Sequence, residues 1–188
     1  MAETGRLPPA DAVTDDNARL RTNRLTLRPP TAGDVQAVYE IHHDPSACAH
    51  NPSDALTTPD EAARLLDRWL GHWHASGFGY WVVRRHDDPT VLGFCGIKSV
   101  HLDDHPALNL FYRFAPAAWG QGIASEAAHA VVAWAREHLP DLPVIARVRP
   151  ANTASQHVAT KAGLTRTEHL DRNGEDGPDL FFTTTWPH

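Results

Sequence analysis

The sequence predicts an α+β fold built on one mixed sheet that is antiparallel at first and parallel in its middle. At 188 residues the chain has the size of one ordinary domain. Two β-rich runs, 78–85 and 90–100, are joined by the turn composition HDDP, which favours an antiparallel hairpin. An apolar run, a helical run and a second apolar run then follow over 107–149, which is typical of a parallel strand–helix–strand unit.

The N-terminal segment differs in composition from the rest of the chain. Residues 1–20 are rich in Ala, Asp, Pro and Thr without hydrophobic periodicity, so we expect a mobile tail before one domain at 21–188. The first predicted strand is 24–30, where Leu25 and Leu27 alternate with polar residues. The two prolines that end this run favour a short strand at an edge of the sheet or at its start.

The remaining elements follow from periodicity and capping signals. Thr58 precedes Pro59 at the start of the second predicted helix, and Gly77 ends it. The helix after the fourth strand is apolar on most of its surface, so we expect it to be largely buried. The predicted helices are 31–43, 57–77, 121–139 and 152–163, and the later strands are 107–114, 144–149, 164–170 and 179–186.

Charge and composition restrict the partners. The formal net charge is −6 with 13 histidines counted as neutral, so the chain lacks the basic surface that general binding to nucleic acid requires. No apolar run approaches the ~18 residues that span a bilayer, and the first residues do not resemble a signal peptide. We therefore expect a cytoplasmic protein without nucleic-acid or membrane partners.

Cysteine and histidine spacings do not predict a metal site. Cys48 and Cys95 are far apart, which favours two buried small apolar side chains over a disulfide or a zinc site. His101 and His105 bracket two aspartates, but such a coincidence in a polar loop is common in a chain with 13 histidines. We expect no metal.

The segment 119–125, WGQGIAS, joins the fourth strand to the buried helix. The first N–H groups of a helix have no intrahelical partner and carry partial positive charge, so they attract phosphate oxygens. Gly120 and Gly122 would let those oxygens reach the backbone of residues 120–125. The alternative is that both glycines only permit a tight turn and close helix packing.

Two nucleotide motifs fit this segment poorly. A Walker loop requires Gly-Lys-Ser/Thr, which is absent. A Rossmann fingerprint requires a third glycine where Ser125 stands, and Arg147 and Arg149 occupy the strand where an NAD site has an acid. The two arginines leave an NADP site as an alternative.

Four blocks in order resemble the GNAT N-acetyltransferases, and within them the ribosomal-protein N-terminal (Rim-type) acetyltransferases. They are LRTNRLTLRPPTAGD (20–34), LNLFYRFAPAAWG (108–120), WGQGIASEA (119–127) and NTASQHVATKAGL (152–164). The resemblance implies the GNAT fold, with about six or seven strands, a central splayed parallel strand pair and four flanking helices around acetyl-CoA. It also implies a set of cofactor-binding residues: Phe114, Ala115, Trp119, Gly120, Gln121, Gly122, Ile123, Ala124, Ser125, Asn152 and Ser155.

Within this resemblance, 121–125 hold the pyrophosphate, while backbone groups of Phe114 and Ala115 bind the pantetheine arm. Asn152 contacts the cofactor and Ser155 lies near its sulfur. A thiolate leaving group profits from a nearby proton donor, which Ser155 would supply.

The general base is not apparent from the sequence. Asn109 stands where family members often carry a glutamate, and Glu175 lies close to an acid that serves in Rim-type enzymes. An α-amino acceptor with a pKa near 8 is partly neutral at pH 7, so a weak base or water suffices. The other candidates are Glu40, His42, Asp44, Asp103 and Asp104.

The sequence therefore predicts an N-acetyltransferase that moves an acetyl group from acetyl-CoA to a primary amine by direct attack. A protein N-terminal α-amino group is the leading acceptor, and a small-molecule amine such as an antibiotic or an amino-acid derivative is the alternative. A non-catalytic acyl-CoA-binding module is a third hypothesis, favoured by Asn109 at the place of the acid. The oligomeric state stays open, with a homodimer as one option.

Overall fold

One mixed sheet organises the structure, a computed structural model that describes residues 18–186. The strands run in the order β1-β2-β3-β4-β5-β6-β9-β7, with β8 paired to β9. The strands are β1 (Leu20–Arg21), β2 (Leu25–Arg28), β3 (Tyr80–Arg85), β4 (Gly93–Leu102), β5 (His105–Phe114), β6 (Val144–Val148), β7 (Thr165–Arg166), β8 (Arg172–Gly174) and β9 (Gly177–Thr183). The helices are α1 (Val35–His43), α2 (Pro59–Ser76), α3 (Ile123–His138) and α4 (Thr153–Lys161).

The predicted α+β class and its mixed sheet are confirmed, but within residues 18–186 the sheet has nine strands. The two additional strands, β1 and β8, are two and three residues long, which is too short to show an alternating pattern in the sequence. The predicted strand 164–170 forms pairing only at Thr165–Arg166 and continues as a short 3-10 helix at Glu168–Leu170.

The parallel pair β5–β6 is short and opens into a gap. Its register comprises only Leu108↔Val144 and Asn109↔Ile145, although β5 continues to Phe114. Beyond that point the two strands separate, as predicted for a splayed pair. The gap leaves backbone groups of β5 without a strand partner in the middle of the sheet.

Helices cover both faces of the sheet because adjacent strand residues point to opposite faces. Trp81 and Val83 pack in the cluster that contains α3, whereas Val82 packs with α1 and α2. The predicted burial of α3 is confirmed, since seven of its residues are buried. Trp134 is one of them, at 5% exposure.

Local signals set the ends of α2 as the sequence predicted. Thr58 and Glu61 form a capping box, Pro59 occupies the first helical position, and Gly77 ends the helix in the left-handed region with φ 73°. Thr58 accepts a hydrogen bond from the Glu61 N–H at 3.3 Å. These contacts satisfy groups that a helix end otherwise leaves unpaired.

Most of the predicted N-terminal tail, residues 1–17, lies outside the described residues. The last part of 1–20 packs on the sheet: Ala18 is buried, and its carbonyl accepts a 2.7 Å hydrogen bond from Trp81 Nε1. Cys48 and Cys95 are both buried free thiols, as predicted. Within residues 18–186, no helix has the length and apolar character to cross a bilayer.

Candidate active site

A cleft of about 660 Å³ lies over the gap between β5 and β6. We call it the cofactor-side cavity. Its lining includes Phe114, Trp119 and Ala124 on one side and Asn152 and Ser155 on the other. The structure therefore brings together the loop and the α4 start that the sequence predicted to share one ligand.

The turn before α3 contains two left-handed glycines and leads into a helix without a side-chain cap. Gly120 and Gly122 both adopt left-handed conformations, with φ of 73° and 74°, which disfavour any residue with a Cβ. No side-chain hydrogen bond caps α3 at Gly122. The N–H groups of its first turn therefore lack a protein acceptor among the described residues, and they carry the positive end of a 16-residue helix dipole.

Three side chains hold this turn in place. Arg24 donates from Nε to Glu126 at 2.6 Å and from Nη1 to the Gln121 carbonyl at 2.9 Å. Arg85 Nη2 donates to Gln121 Oε1 at 2.7 Å. Sequence reasoning missed Arg24, Arg85 and Glu126, because these partners are far apart along the chain and carry no motif.

Backbone hydrogen bonds correct part of the predicted pantetheine contacts. The Ala115 N–H donates to the Leu92 carbonyl at 2.9 Å, and the Phe114 carbonyl accepts from Trp119 Nε1 at 2.9 Å. Because alternate residues of a strand direct their backbone groups to opposite edges, the N–H groups of Tyr112 and Phe114 face the gap. The N–H groups available to the pantetheine arm are therefore those of Tyr112 and Phe114, and the N–H group of Ala115 is not available.

The start of α4 links the predicted Asn152 and Ser155 to Tyr112. Asn152 Oδ1 caps the helix by accepting the Ser155 N–H at 3.0 Å. The Tyr112 hydroxyl lies 2.7 Å from Ser155 Oγ and 2.9 Å from the Ser155 carbonyl, to which it donates. Burial raises the pKa of Tyr112 above its usual range, so the phenol stays protonated. Tyr112 was not predicted.

A second cavity of about 340 Å³ adjoins the first. We call it the acceptor-side cavity. Trp69, Tyr80 and Phe111 form an aromatic wall, with ring centroids 5.4 Å apart for Trp69–Tyr80 and 4.7 Å apart for Tyr80–Phe111. The two cavities share six lining residues: Ser53, Asp54, Asn109, Phe111, Arg113 and Arg147.

An ion pair stands where the cavities meet. Arg113 Nη2 donates to Asp54 Oδ2 at 2.7 Å, and the Arg113 side chain is only 5% exposed while that of Asp54 is 50% exposed. The Arg113 guanidinium lies 5.6 Å from the centroid of Phe111. Neither charged residue was predicted, because Asp54 lies in a loop without a motif.

His42 lines the acceptor-side cavity from α1. Its Nδ1 lies 2.9 Å from the Val38 carbonyl, so Nδ1 carries the proton and Nε2 keeps its lone pair. Burial, reinforced by the charge of Arg113, lowers the pKa of His42 to about 4. The ring is therefore neutral at pH 7.

Asn109 also lines both cavities, next to Tyr80. Burial raises the pKa of Tyr80 to about 12, and a hydrogen bond from the Asn109 side chain partly offsets this rise. An amide cannot accept a proton at neutral pH, so Asn109 is suited to orient a polar group and not to act as a base.

Of the predicted base candidates, His42 lines the acceptor-side cavity and Glu175 lines the cofactor-side cavity. Glu40 accepts a hydrogen bond from Gln36 on the outer side of α1, and Asp44 caps the turn that follows. Asp103 pairs with Arg172 at the tip of the β4–β5 hairpin, where Asp104 is exposed. These four carboxylates are bound or placed away from the cleft and do not serve it.

Arg149 fastens the turn that carries Glu175. It forms ion pairs with Asp179 at 3.0 Å and Asp176 at 3.7 Å, and Ser53 Oγ donates to Asp176 at 2.6 Å. These pairs connect the β8–β9 turn to the loop that contains Asp54. They also neutralise Arg149, which removes one of the two arginines on which the NADP alternative depended.

Comparisons with known proteins agree with this geometry. A model of the acetyltransferase (GNAT) domain matches residues 24–165. The chain is 31% identical to the uncharacterised protein YkkB of Bacillus subtilis over 153 residues, covering 78% of this chain and 84% of that protein. It superimposes on the crystal structure of an acetyltransferase from Agrobacterium tumefaciens at 27% identity and a TM-score of 0.75, covering 89% of this chain and 94% of that one.

A ribosomal protein acetyltransferase also shares the fold. The structure of RimL, a ribosomal L7/L12 α-N-protein acetyltransferase in complex with coenzyme A, matches with a TM-score of 0.69 at 17% identity, covering 86% of this chain and 94% of that one. A sequence identity this low supports only a shared fold.

The chain belongs to the GNAT acetyltransferase family. It is an acetyl-CoA-dependent acetyltransferase, and the predicted resemblance and co-substrate are thereby confirmed. The described residues fit that co-substrate, because the left-handed glycines and the uncapped α3 start suit its pyrophosphate and the gap in the sheet suits its arm.

Proposed function

We propose that this protein is an N-acetyltransferase that transfers the acetyl group to a primary amine by direct attack in a ternary complex. The observation that carries the proposal is the junction of two cavities over the β5–β6 gap. One cavity offers backbone N–H groups to a phosphorylated co-substrate, and the other offers an aromatic and charged lining to an acceptor.

On the cofactor side, backbone N–H groups and the helix dipole do the binding. The N–H groups of residues 120–125 hold the pyrophosphate, those of Tyr112 and Phe114 hold the pantetheine arm, and Asn152 fixes the start of α4 beside it. Trp119, which is 50% exposed, lines the cleft.

The thioester supplies an activated acyl carbon, and the residues near it manage protons. The amine nitrogen forms a bond to the acyl carbon, the carbon–sulfur bond breaks, and the sulfur takes a proton. Ser155 donates that proton and regains one from solvent, while the protonated Tyr112 hydroxyl, 2.7 Å from Ser155 Oγ, holds the serine side chain in place. Asn109 orients the acceptor at the junction of the cavities.

A weak base is enough to accept the proton that leaves the amine. Glu175 lies on the exposed rim of the cofactor-side cavity, in the turn fastened by Arg149, and accepts this proton on its way to solvent. An acceptor with a pKa near 8 already presents a neutral fraction at pH 7, so a solvent-exposed carboxylate suffices.

The size and lining of the acceptor-side cavity bear on the remaining alternatives. At about 340 Å³ it suits a compact group, either a small molecule or the first residue of a protein N-terminus. A module that only bound acyl-CoA would not need a second lined cavity that opens onto the thioester. Cytoplasmic location and a homodimer stay predictions from the sequence.

A thiol-release assay tests this function. Acetyl-CoA with a panel of primary amines should release CoA, and Ser155→Ala should lower kcat by roughly 10- to 100-fold with little change in acetyl-CoA affinity. Thr160→Ala, at an exposed position on the same helix, is the matched control and should leave kcat unchanged. Acetyl-CoA binding without CoA release on any amine would favour the non-catalytic module.

A further inference from the structure

The acceptor-side cavity carries an excess of positive charge. Its lining contains four cationic side chains and one carboxylate, although the whole chain has a net charge of −6. The cations are Arg68, Lys98, Arg113 and Arg147, and the carboxylate is Asp54. A positively charged cavity in a protein with a negative net charge favours an anionic ligand.

Most of this charge has no protein partner. Among the described residues, Arg68, Lys98 and Arg147 form no ion pair, and all three are exposed to solvent or to the cavity. Other described cations without an ion pair, such as Arg84 and Arg136, do not line this cavity. Three cations without an ion pair therefore line the same cavity.

Arg113 adds a buried donor that lacks an acceptor. Its side chain is 5% exposed, Nη2 binds Asp54, and Nη1 is buried without a hydrogen-bond partner among residues 18–186. A buried unsatisfied donor on a charged group is costly. Because Arg113 lines the cavity, a carboxylate placed beside its guanidinium would gain a charge-assisted hydrogen bond.

The rest of the lining is apolar or uncharged. Trp69, Tyr80 and Phe111 form the aromatic wall, which suits a flat or large apolar group. Burial lowers the pKa of both His42 and His72, so neither ring contributes positive charge at pH 7. The positive charge of the cavity therefore resides in its arginines and its lysine.

We propose that the acceptor is a free α-amino acid with an aromatic or large apolar side chain. Its carboxylate binds the Arg113 guanidinium and Arg147, its side chain packs on the aromatic wall, and its amino group lies at the junction near Asp54 and Asn109. This assignment rests on the proposed function and gives it a substrate class.

The reaction balances with the groups present. The amino nitrogen loses one proton to solvent and bonds to the acyl carbon, the carbon–sulfur bond breaks, and free CoA leaves with a proton on sulfur. The product is an N-acetylamino acid with a net negative charge, which the same cations bind. A polycationic amine such as an aminoglycoside is repelled by the four cations.

The test compares acceptors that differ in one charge. L-Phenylalanine should have a kcat/KM roughly 10- to 100-fold above that of L-phenylalaninamide, because the amide lacks the carboxylate that pairs with arginine. A peptide amide that begins with phenylalanine represents a protein N-terminus, and tobramycin represents a polycation. Both should be poorer than the free amino acid.

Arg147→Gln should reduce the preference for acid over amide about tenfold, because one of the two carboxylate partners is lost. Lys161→Gln, which removes an exposed charge on α4 away from the cavities, should leave the preference as in the wild type. A binding measurement without turnover supports the same comparison: with CoA present, N-acetyl-L-phenylalanine should raise Tm more than its amide does.

The outcomes separate the two proposals. If the amide, the peptide or tobramycin is acetylated as well as or better than phenylalanine, the amino-acid assignment is wrong and the acetyltransferase function stands. The amino-acid assignment is also wrong, and the acetyltransferase function also stands, if Arg147→Gln keeps the full preference for acid over amide. If acetyl-CoA binds and no amine releases CoA, the proposed function fails and the acceptor assignment fails with it.

Discussion

The two cavities that meet at β5 are constructed in different ways. On the cofactor side, the proposed contacts come mainly from backbone N–H groups of one continuous segment, 120–125, together with the start of α4. The acceptor side uses side chains from α1, α2, four strands and the loop that contains Asp54. A backbone site depends on local conformation, whereas a side-chain site depends on how distant segments pack.

Many proteins can therefore share a backbone site such as the cofactor side, whereas a side-chain site such as the acceptor side is particular to one protein. Any protein that places two left-handed glycines before an uncapped helix presents the same N–H groups to a phosphate. The charges and rings of the acceptor side can change one at a time without disturbing that site. The predictions below change one side and ask whether the other responds.

The largest expected effect is on the cofactor side. Gly122→Val should weaken acetyl-CoA binding by ~1,000-fold, because a β-branched residue disfavours the left-handed conformation that aims the N–H groups. The Cβ itself has room, with Arg24 Nη2 the nearest atom at 3.5 Å, so the effect comes from φ and not from a clash. Calorimetric titration measures it.

Gly71→Ala in the exposed part of α2 is the control for this prediction, because its Cβ meets nothing within 4 Å. It should leave acetyl-CoA affinity unchanged. Tight acetyl-CoA binding by Gly122→Val would place the pyrophosphate elsewhere.

On the acceptor side, His42 makes stability depend on pH. Its pKa is about 4 in the folded protein against 6.5 when unperturbed, so the unfolded chain binds the proton more tightly. The neutral ring contributes its full stability above pH 6.5, and that contribution is lost as pH falls toward 4, by about 3 kcal/mol in total.

His42→Gln should remove this part of the acid destabilisation, which urea unfolding at about pH 7 and about pH 4 measures. His74→Gln, at an exposed position of α2, should behave like the wild type. An unchanged pH dependence in His42→Gln would mean that the ring is not held neutral by burial.

The ion pair between the cavities should have a smaller effect. Asp54→Ala leaves the buried Arg113 without its carboxylate and should destabilise the fold by about 2 kcal/mol, less than for a fully buried pair because Asp54 is 50% exposed. Asp176→Ala removes a comparable carboxylate from the Arg149 cluster, where Asp179 remains, and should cost less. Equal losses in urea unfolding would contradict the assigned burial of Arg113.

The smallest effect is expected for the contacts that hold the glycine turn. Arg24→Ala removes the bonds to Glu126 and Gln121 and should weaken acetyl-CoA binding by ~5-fold, since an exposed ion pair contributes about 1 kcal/mol or less. Acceptor affinity, measured as KM at saturating acetyl-CoA, should not change. A parallel loss of acceptor affinity would show that the two sides are coupled.

The cofactor side was predictable because its residues are close in sequence. Gly120, Gly122 and the α3 start form one motif, and Asn152 caps α4 three residues before Ser155. Each position has a local physical requirement, a positive φ or a cap, that only a few residue types satisfy. Even there, the availability of the Tyr112 and Phe114 N–H groups depended on the register of β4 against β5.

The acceptor side was not predictable from the same sequence. Asp54, Arg113 and Arg147 come from three separated segments, and each alone is an ordinary surface charge. Their relation appears only when β5 and β6 separate and the 51–54 loop reaches the gap. The same is true of Tyr112, which meets Ser155 across 43 positions of the chain.

The sequence by itself determined the α+β class, the ends of α2, the burial of α3 and the glycine turn before α3, because hydrophobic period, capping and left-handed φ are local properties. The tertiary structure alone decided which backbone groups of β5 are free, how Arg149 fastens the Glu175 turn and why positive charge remains unpaired around Trp69 and Phe111. Those features depend on strand register and on contacts between distant segments, and no local pattern encodes them.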